Sequence, residues 1–598
     1  MCGIIGYVGT ERALPVVADG LHRLEYRGYD SAGIALCADS LSIYKSTGVV
    51  DDLTLPESSA ATCAVGHTRW STHGKPTDAN AHPHTDCHGE IAVVHNGIID
   101  NYESLKAELA DHAFTSETDT EVVPHLIEEA WNGGDLTAAV ESVVDRLDGS
   151  FAICVTAEGC DEIVAARRDS PLVVGHGETG SFVASDVPAF IEHTRRVSYL
   201  ENGDVATLTP DDVAVTNGGD PVDRPVETVT WDAEAAEKGG YDHYMLKEIH
   251  EQPQALRQTL SGRLDAVNGE ADLDLDLPEE YVRPLEEIQI VAAGTSYHAG
   301  MYARRLLEEY ADVRVSVEIA SEYEVTGGRD PERTLAVAVT QSGETADTLD
   351  AMRKASRAGA RTLAVTNTVG STAAREANHT VYIRAGPEIG VAATKTFAAQ
   401  VVTLGLLTVE LGRERRALST AMASDLLERL RDVPGAIQQT LDREAAVREA
   451  AETYADADAF FFIGRRFGYP VALEGALKLK EISYEHAEGF AGGELKHGPL
   501  ALVTEETPVL AVLTRGGEPS DLLNNVKEVE SRGAPVVGCS SLPSASKYLD
   551  VELEVEALGV FEPLVANVYL QLFAYHVARL RGRSIDRPRN LAKSVTVK

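Results

Sequence analysis

The second half of this 598-residue chain repeats one pattern, in which an apolar strand is followed by a polar turn and a helix. The pattern occurs in IQIVAAGTSYHAGMYARRLLEEY and TLAVAVTQSGETADTLDAMRKASRAG, and again in FFFIGRRFGYPVALEGALKLKEI and PVLAVLTRGGEPSDLL. Three glycines of the later copy follow three of the earlier one by 170, 174 and 174 residues: Gly464 after Gly294, Gly517 after Gly343, and Gly533 after Gly359. Because strands alternate with helices, we predict two copies of a doubly wound, parallel α/β domain.

The first 238 residues have a different pattern, with nine short β-branched runs and only two evident amphipathic helices, ESLKAELADHA and TEVVPHLIEEAWNGG. This pattern favours two packed sheets flanked by helices. The acidic segment 265–284 is interrupted by Gly and Pro, as expected of a linker or an excursion between domains. We therefore divide the chain into a first domain, a linker and lead-in, two α/β domains and a tail: 1–238, 239–284, 285–435, 436–582 and 583–598.

The formal net charge of −41 excludes some classes of partner. A polyanionic surface repels nucleic acid and anionic lipid, so we expect neither as a partner. The charge suits a salty cytoplasm, in which salt screens the self-repulsion, although an acidic protein from an ordinary cytoplasm is the alternative. Seven cysteines without a CxxC pair suit a reducing compartment, and the sequence has neither an apolar run of membrane-spanning length nor a secretory signal. We expect a cytoplasmic protein.

One segment, NAHPHTDCH, holds residue types that ligate zinc: His82, His84, Cys87 and His88. Their spacing matches no zinc pattern, and Pro83 between two of the histidines favours a turn. We predict a loop packed on the neighbouring site, and no metal.

The second residue, Cys2, is followed by a Gly and an apolar run. A small residue at this position normally permits removal of Met1, which would leave Cys2 with both a thiol and a free α-amino group. The amine, with an ordinary pKa of about 7.7 to 8.0, can accept the thiol proton. Nucleophile and base would then lie on one residue. The alternative is a cysteine buried in a first strand.

Three further segments bear on this choice. Arg69 ends a predicted strand, and its guanidinium can bind a carboxylate through two parallel hydrogen bonds. Asn96 and Gly97 lie at a strand-to-turn junction, where an amide side chain and a bare backbone N–H can point at an oxyanion. Asp119 begins a helix and can pair with an ammonium group. Arg69 and Asp119 could instead form a surface ion pair or a helix cap, but together these residues suggest a site for an amino acid beside a thiol.

These segments, MCGIIGYVG, LEYRGYDSAG, HTRWSTHG, NAHPH, VVHNGIIDNY and SETDTE, resemble the glutamine amidotransferase domain of the amino-terminal-nucleophile hydrolase type, which has an αββα fold. The rest resembles the paired sugar isomerase domains of the isomerising glutamine:fructose-6-phosphate aminotransferases. The resemblance covers essentially the whole chain. It implies catalysis by Cys2 with Asn96 and Gly97, and a channel gate at Trp70. It also implies a set of glutamine-binding residues: Arg69, Trp70, Thr72, His73, His82, Gly97 and Asp119.

The turn in VTQSGETADT joins a strand to a helix and offers hydroxyl and backbone N–H donors to a phosphate. An ordinary Ser/Thr helix cap is the alternative. The turn GTSYH offers Thr295 and Ser296 in the same way. The resemblance assigns these loops to the sugar phosphate, with Thr295 nearer the sugar hydroxyls, and implies a set of contacts: Thr295, Ser296, Thr340, Gln341, Ser342, Thr345, Val391 and Glu481.

The segment EGALKLKEISYEHAEGFAGGELKHGPL places Glu474, Lys478 and Glu481 at helical spacing. Taken alone, this pattern favours a solvated face of i,i+4 pairs. The resemblance instead implies that Glu481 moves protons between C1 and C2, that Lys478 assists it and that His497 opens the sugar ring. It also implies that Lys593 of the tail forms a Schiff base with the ketose carbonyl, which would acidify the adjacent C–H.

The chain departs from the family pattern at three positions. Thr340 and Ala393 stand where serine is usual, and Lys598 stands where an acidic residue is usual. Thr340 keeps the hydroxyl, whereas Ala393 loses one sugar contact or moves it to the backbone. The change at Lys598 puts any role of the terminal side chain in doubt.

The resemblance as a whole implies hydrolysis of glutamine at Cys2 and internal transfer of ammonia to fructose 6-phosphate. Amination and isomerisation would then give glucosamine 6-phosphate, without a metal or organic cofactor, in a homodimer. Three alternatives remain. The acceptor could be another keto sugar phosphate, the paired domains could be a sensor without turnover, or the chain could be a stand-alone glutaminase. Retention of Glu481, His497 and Lys593 argues against the sensor, and the length of the second half argues against the glutaminase.

Overall fold

The computed structural model describes residues 2–28, 30–38, 40–69, 76–131, 133–168, 170–229, 238, 240–325 and 330–596. The chain forms two compact units, Met1–Ala236 with Ala592–Lys598, and Glu237–Leu591.

The amino-terminal unit contains fifteen described strands and four described α-helices. The strands are β1 (Gly3–Gly9), β2 (Ser31–Cys37), β3 (Leu41–Thr47), β4 (Cys63–Arg69), β5 (His84–Thr85), β6 (Ile91–Ile99), β7 (Gly149–Ala157), β8 (Ile163–Arg168), β9 (Val173–His176), β10 (Gly180–Ala184), β11 (Arg196–Tyr199), β12 (Asp204–Leu208), β13 (Val213–Asn217), β14 (Asp220–Pro221) and β15 (Glu227–Thr228). The helices are α1 (Ala13–Leu24), α2 (Tyr102–Glu108), α3 (Val122–Ala130) and α4 (Leu136–Val144).

The strands form two antiparallel sheets, one in the order β15-β11-β9-β10-β1-β4-β2-β3 and the other in the order β14-β13-β12-β8-β7-β6-β5. One apolar core includes Ile4 and Val65 of the first sheet with Val94 and Ala165 of the second, so the two sheets pack face to face. A second core lies between the other face of the second sheet and the helices α2, α3 and α4. Helix α1 packs against β1 and β4 on the outside of the first sheet. The layers are αββα, as predicted.

Helices α1 and α4 were not predicted. Pro15 and Gly20 usually interrupt helices and obscure the apolar periodicity of α1. Pro15 lies in the first turn, where its missing N–H costs no hydrogen bond. Gly20 is required for packing, because a Cβ there would lie 2.8 Å from the backbone carbonyl oxygen of Ala189.

The second unit contains the remaining described strands and helices. The strands are β16 (Leu264–Asp265), β17 (Glu270–Ala271), β18 (Glu287–Ala292), β19 (Arg314–Ile319), β20 (Thr334–Thr340), β21 (Arg361–Thr366), β22 (His379–Tyr382), β23 (Ala459–Gly464), β24 (His486–Ala491), β25 (Val509–Leu513), β26 (Val536–Ser540) and β27 (Val551–Glu554). The helices are α5 (Tyr244–His250), α6 (Gln252–Leu260), α7 (Glu279–Val282), α8 (Gly294–Tyr310), α9 (Ala346–Arg357), α10 (Thr372–Glu376), α11 (Lys395–Glu414), α12 (Thr420–Asp442), α13 (Glu444–Tyr454), α14 (Gly468–Ser483), α15 (Pro519–Glu530) and α16 (Glu562–Leu580).

The two parallel sheets of this unit have the same topology. One sheet has the order β19-β18-β20-β21-β22 and the other has the order β24-β23-β25-β26-β27, so each follows the order 2-1-3-4-5 of its own strands. This is a common doubly wound arrangement, in which the order of strand addition reverses between the first and third strands while all strands stay parallel. The predicted duplication of a parallel α/β fold is confirmed.

The acidic segment 265–284 is built into the second unit and does not form a bare linker. Leu273, Leu277 and Val282 are buried in its main core, and the backbone N–H of Leu273 donates to Glu410 Oε2 at 3.0 Å. The alternation of acidic and leucine residues lets the leucines point inward while the carboxylates stay in solvent. The preceding helices α5 and α6 also contribute to this core, through Met245 and Leu256.

Among the described residues, none of the helices combines the length and the apolar character that a membrane crossing requires.

Candidate active sites

Cys2 immediately precedes β1, and strand pairing places it beside Arg69. Gly3 of β1 pairs with Thr68 of β4, so Cys2 and Arg69 are the next residues on these two antiparallel strands. Arg69 is 3% exposed. Burial lowers the pKa of its guanidinium, while the charges of Cys2, Asp30 and Asp119 act in the opposite direction. Arg69 is therefore a buried cation within electrostatic reach of the predicted nucleophile and of Asp119, not a surface ion pair.

The side chain of Asn96 is fixed by hydrogen bonds at both ends. Its Nδ2 donates to the Cys2 carbonyl oxygen at 3.0 Å and to Ser185 Oγ at 2.8 Å. Its Oδ1 lies 3.1 Å from His67 Nε2, which also faces the His95 carbonyl oxygen at 2.9 Å. The Asn96 side-chain oxygen and the His95 carbonyl oxygen both accept hydrogen bonds, so His67 Nε2 carries the proton and donates it. Burial lowers the pKa of His67 to about 3, and the neutral ring holds Asn96 against Cys2.

Gly97 and Asp119 also lie at this end of β6. Gly97 has φ +124°, and a Cβ there would lie 1.9 Å from the Ser150 carbonyl oxygen, so only glycine fits. Asp119 is buried, and its Oδ2 accepts the backbone N–H of Ile99 at 2.8 Å. The structure thus brings Cys2, Arg69, Asn96, Gly97 and Asp119 to one region of this unit.

His82, which the resemblance assigns to glutamine binding, lies in a buried histidine cluster. Its ring stacks on His67 with centroids 4.2 Å apart. Its Nδ1 accepts the backbone N–H of His95 at 3.2 Å, and its Nε2 lies 3.4 Å from Thr120 Oγ1. Burial holds the pKa of His82 well below its usual value. The neutral His82 therefore supports β6 and the region around Asp119. The predicted residues Trp70, Thr72 and His73 lie outside the described residues.

Sequence reasoning missed three residues that hold Cys2 and Asn96 in place. Ser185 Oγ accepts both the Asn96 amide and the backbone N–H of Ile4, the latter at 2.7 Å. Arg27 Nε donates to the Cys2 carbonyl oxygen at 3.2 Å. His67 could have been found, because it lies two residues before Arg69 on the same strand and so on the same face. Ser185 and Arg27 have no such signal, since only the fold brings them near Cys2.

In the second unit, two strand-to-helix turns lie side by side where the strand order of the first parallel sheet reverses. β18 pairs in parallel with β20, and Ala292 is opposite Val339, so the turn before α8 lies beside the turn before α9. Doubly wound folds bind ligands in the crevice at the carboxyl ends of the strands, at the point where the strand order reverses. The structure therefore brings together Thr295 and Ser296 with residues 340–345 in the place expected of a ligand site.

The second of these turns is shaped by its own hydroxyl groups. Thr340 Oγ1 accepts the backbone N–H of Gly343 at 3.2 Å, and Ser342 Oγ accepts that of Glu344 at 3.1 Å. Thr345 is the N-cap of α9, but its side chain makes no capping hydrogen bond. Gln341 and Ser342 are half-buried and join β20 to this N-terminus. The turn therefore presents hydroxyls and a helix N-terminus, whereas the predicted alternative of an ordinary Thr cap lacks its defining hydrogen bond.

Helix α14 carries a buried charge cluster. Glu474 and Lys478 are both 0% exposed. Lys478 Nζ lies 2.7 Å from Glu481 Oε2 and 3.3 Å from Glu474 Oε1, and it donates to Thr295 Oγ1 at 3.0 Å. Thr295 in turn donates to Glu474 Oε1 at 3.0 Å. The two repeats therefore meet at these four residues, and the solvated helix face that the spacing alone favours is wrong.

The charges of this cluster stabilise one another. Burial alone would lower the pKa of Lys478, but the carboxylates of Glu474 and Glu481 raise it above its usual value. Burial acts to raise the pKa of Glu474, yet Lys478 and His298 hold it below its usual value. Lys478 is therefore an ammonium ion, which cannot act as a nucleophile but can orient Glu481.

The structure describes three further predicted residues. Val391 is buried in a loop that the Glu388 carboxylate holds by accepting the backbone N–H groups of Thr394 and Thr396, at 2.9 and 3.1 Å. His497 is exposed and makes no hydrogen bond or ion pair with any residue that the structure describes. Lys593 is half-buried in the segment that belongs to the amino-terminal unit. Lys598 lies outside the described residues.

Sequence reasoning did not assign roles to Glu474 or His298, which complete the cluster. His298 Nδ1 lies 2.8 Å from Glu474 Oε2. Both residues stand in segments already singled out, GTSYH and EGALKLKEI. The signal for His298 is its position three residues after Thr295 on α8, which places the two side chains on one face.

The second repeat has a different turn where the first has its hydroxyl-rich one. Glu518, with φ +48°, precedes Pro519 at the start of α15. The Glu518 carboxylate lies 3.9 Å from Arg465 Nη1 and 3.7 Å from Arg466 Nη1, and Asp521 lies 2.7 Å from Arg465. The N-cap of α15 is thus a glutamate whose side chain pairs with arginines and makes no capping hydrogen bond.

Two family models match this chain. The model described as glutamine amidotransferase domain matches residues 67–192, and the model described as SIS domain matches residues 283–410 and 453–580. The fold and the two sites thus define a glutamine amidotransferase domain followed by a pair of SIS domains.

Full-length relatives identify the family. A curated protein named glutamine–fructose-6-phosphate aminotransferase (isomerizing) from Halobacterium salinarum is 60% identical over 600 residues, covering 100% of both chains. A protein of the same name from Symbiobacterium thermophilum is 50% identical over 611 residues, again covering 100% of both. The chain belongs to the family of isomerising glutamine–fructose-6-phosphate aminotransferases, which are enzymes. The Halobacterium relative also fits the expected salt-adapted surface.

A solved structure matches the second unit. The C-terminal domain of glucosamine-fructose-6-phosphate aminotransferase from Francisella tularensis is 38% identical with a TM-score of 0.56. The match covers 59% of this chain and 99% of that one.

Proposed function

We propose that this chain hydrolyses glutamine at Cys2 and uses the ammonia to convert fructose 6-phosphate into glucosamine 6-phosphate. Its membership of the family over its full length supports this reaction. The observation that carries the proposal is the buried contact of Lys478 with both Glu474 and Glu481, next to the turns at Thr295 and Ser342. A sugar-phosphate sensor has no need of such a group for moving protons.

In the first half-reaction, the Cys2 thiol transfers its proton to the α-amino group that removal of Met1 exposes, and the thiolate attacks the glutamine amide carbon. The Gly97 N–H and the Asn96 amide stabilise the oxyanion, the latter by exchanging its bond to the Cys2 carbonyl for one to substrate. Ammonia leaves, and water then hydrolyses the thioester to glutamate. Arg69 binds the substrate carboxylate, and Asp119 binds its ammonium group. His82 supports this site, while Trp70, Thr72 and His73 are proposed to complete it.

In the second half-reaction, the hydroxyls and backbone N–H groups of residues 340–345 bind the phosphate, with Ser296 beside them. Thr295 and the Val391 backbone contact the sugar. His497 opens the ring, and Lys593 condenses with the ketose carbonyl, so that the iminium acidifies the adjacent C–H. Ammonia replaces Lys593, and Glu481 carries a proton between C1 and C2. The ammonium group of Lys478, 2.7 Å from Glu481 Oε2, orients the Glu481 carboxylate.

One comparison separates this proposal from its alternatives. Glucosamine 6-phosphate should form from glutamine and fructose 6-phosphate, and glutaminase activity should be measurable without the sugar. A stand-alone glutaminase would form glutamate only, and a sensor would bind the sugar phosphate without product. A preference for another keto sugar phosphate, which Ala393 leaves room for, would appear as a higher kcat/KM with that acceptor.

Replacing both hydroxyls in Ser342→Ala/Thr345→Ala should raise the Kd for fructose 6-phosphate by about 10- to 100-fold, because each removes a hydrogen bond to a charged group. Glutaminase activity without sugar should remain. Calorimetric titration measures the Kd, and Ser356→Ala at the exposed far end of α9 is the matched control. An unchanged Kd in the double variant would leave these hydroxyls with a purely local role in the turn.

We propose further that ammonia passes between the two sites through a closed path gated by Trp70. In water at neutral pH ammonia mostly becomes ammonium, which is not a nucleophile, so the transfer needs shielding. Trp70→Ala should leave both half-reactions measurable but make glutamate in excess over glucosamine 6-phosphate. Both products are measured in one mixture, with Trp131→Ala as the control. A ratio that stays near one while both activities fall would mean that Trp70 only packs beneath the glutamine site.

The proposed setting is a cytoplasmic homodimer that needs no cofactor for this reaction and binds neither nucleic acid nor membrane. The dimer is implied by the resemblance. The net charge of −41 supports the absence of polyanionic partners, and the seven cysteines without a CxxC pair suit a reducing compartment.

A further inference from the structure

Four side chains of the amino-terminal unit that the proposed reaction does not use converge on one point: Cys87, His112, His125 and Glu128. Cys87 lies in the turn between β5 and β6, and His112 follows α2. His125 and Glu128 lie one turn apart on α3. One donor atom from each of the four lies within 4.8 Å of the other three.

The distances between these donors are close to those that a tetrahedral zinc ion imposes. Cys87 Sγ lies 3.5 Å from His112 Nδ1 and 3.6 Å from His125 Nδ1. Glu128 Oε2 lies 3.1 Å from His112 Nδ1 and 3.4 Å from His125 Nδ1. Bonds of about 2.0 Å to nitrogen or oxygen and about 2.3 Å to sulfur place tetrahedral donors roughly 3.3 to 3.6 Å apart.

The surroundings of the two histidines fix their rings in this orientation. His112 Nε2 lies 3.4 Å from Glu129 Oε1, so Nε2 can donate to a carboxylate while Nδ1 faces the cluster. In a zinc-bound histidine, the ring nitrogen that does not bind the metal usually donates its N–H to a group such as a carboxylate. His125 is 1% exposed and packs edge-on against Phe114, with ring centroids 4.8 Å apart.

We propose that Cys87, His112, His125 and Glu128 form a structural zinc site. Thiolate and imidazole donors favour zinc over magnesium or calcium, which prefer oxygen. All four tetrahedral positions are supplied by the chain, so the ion has no open position for substrate. On binding, the Cys87 thiol releases its proton to solvent. The competing explanation is a metal-free cluster in which the Glu128 carboxylate accepts hydrogen bonds from both imidazoles.

The local sequence pattern could not predict this site. Of the residues in NAHPHTDCH, only Cys87 takes part; His84 Nε2 instead lies 3.0 Å from Thr118 Oγ1. The other donors follow Cys87 by 25, 38 and 41 residues. The site ties the turn at Cys87 and the loop at His112 to α3, and that loop leads directly to Asp119. Zinc therefore anchors the segment that carries a proposed glutamine contact.

Metal analysis of untagged full-length protein tests the proposal independently of activity. Protein purified from zinc-containing medium should hold one zinc ion per chain. After treatment with a chelator, added Co²⁺ should give the visible bands of a tetrahedral site together with thiolate-to-cobalt charge transfer. Absence of zinc from the purified protein, with no cobalt spectrum in the chelator-treated wild type, would overturn the site without requiring any variant to fold.

Variants then assign the ligands. Cys87→Ser should remove the charge-transfer band, and Cys87→Ala/His112→Ala should abolish stoichiometric zinc. Glu129→Gln should weaken zinc binding by about tenfold, because it alters only the outer partner. His22→Ala is the control, since this histidine on α1 of the same unit is 44% exposed and pairs with Asp51, and it should keep one zinc ion per chain. Equal zinc in Cys87→Ala/His112→Ala and wild type would show adventitious binding and refute the assignment.

Discussion

Replacing Cys2 by alanine should abolish glutamine-dependent formation of glucosamine 6-phosphate. The thiol forms the bond to the amide carbon, and loss of a nucleophile of this kind costs about 10⁴-fold or more in kcat. Fructose 6-phosphate should bind with unchanged affinity, because the turn 340–345 and the charge cluster on α14 lie in the second unit, Glu237–Leu591. Product assays with glutamine, combined with calorimetric titration of the sugar phosphate, measure both effects.

Cys160→Ala is the control for this prediction, because Cys160 is a half-buried cysteine of the same unit and has no proposed role. It should retain full glutamine-dependent activity. Undiminished synthesis by Cys2→Ala would remove Cys2 from the mechanism. Intact-mass measurement of the wild type adds a second check, since a retained Met1 would block the α-amino base.

Replacing Glu481 by glutamine should lower glucosamine 6-phosphate synthesis by about 10²- to 10⁴-fold, the range for removal of a general base. Glutamine keeps nearly the same shape and can still accept from Lys478, whose Nζ lies 2.7 Å from Glu481 Oε2. It cannot take up a proton from carbon. Glutaminase activity without sugar should persist, so the loss should appear in kcat for synthesis, while sugar-phosphate affinity changes little.

Glu488→Gln is the matched control, because Glu488 is a half-exposed carboxylate on the strand that follows α14. Its synthesis rate should equal that of the wild type. If Glu481→Gln retains more than about a tenth of wild-type kcat, the proton transfer belongs to another group.

The architecture was largely predictable from the sequence, because the strand-turn-helix pattern reports local structure and the nearly constant glycine offset reports its repetition. Helix α1 was missed because Pro15 and Gly20 usually break helices, although each fits its place here. The acidic residues of segment 265–284 dominate its composition and so favour a linker or an excursion between domains, whereas Leu273 and Leu277 pack it into the core.

The sites were predictable only in part. Motifs predict roles for Cys2, Arg69, Ser342 and Glu481, but contacts between distant parts of the chain cannot be seen in local spacing. Thr295 and Glu474, which share a hydrogen bond, are 179 residues apart. Ser185 and Asn96 are 89 residues apart. Such pairs depend on sheet order and helix packing.

The two repeats begin corresponding helices with unlike turns. In the first repeat α9 follows a turn with hydroxyls at Thr340, Ser342 and Thr345, whereas in the second α15 follows Glu518, whose carboxylate pairs with Arg465 and Arg466. The second repeat instead contributes α14, with its buried lysine and two carboxylates. In the proposed mechanism, the first copy binds the anion and the second supplies acid–base groups, so the two copies are not interchangeable. The two copies of one fold are thus specialised parts of the proposed sugar-phosphate site.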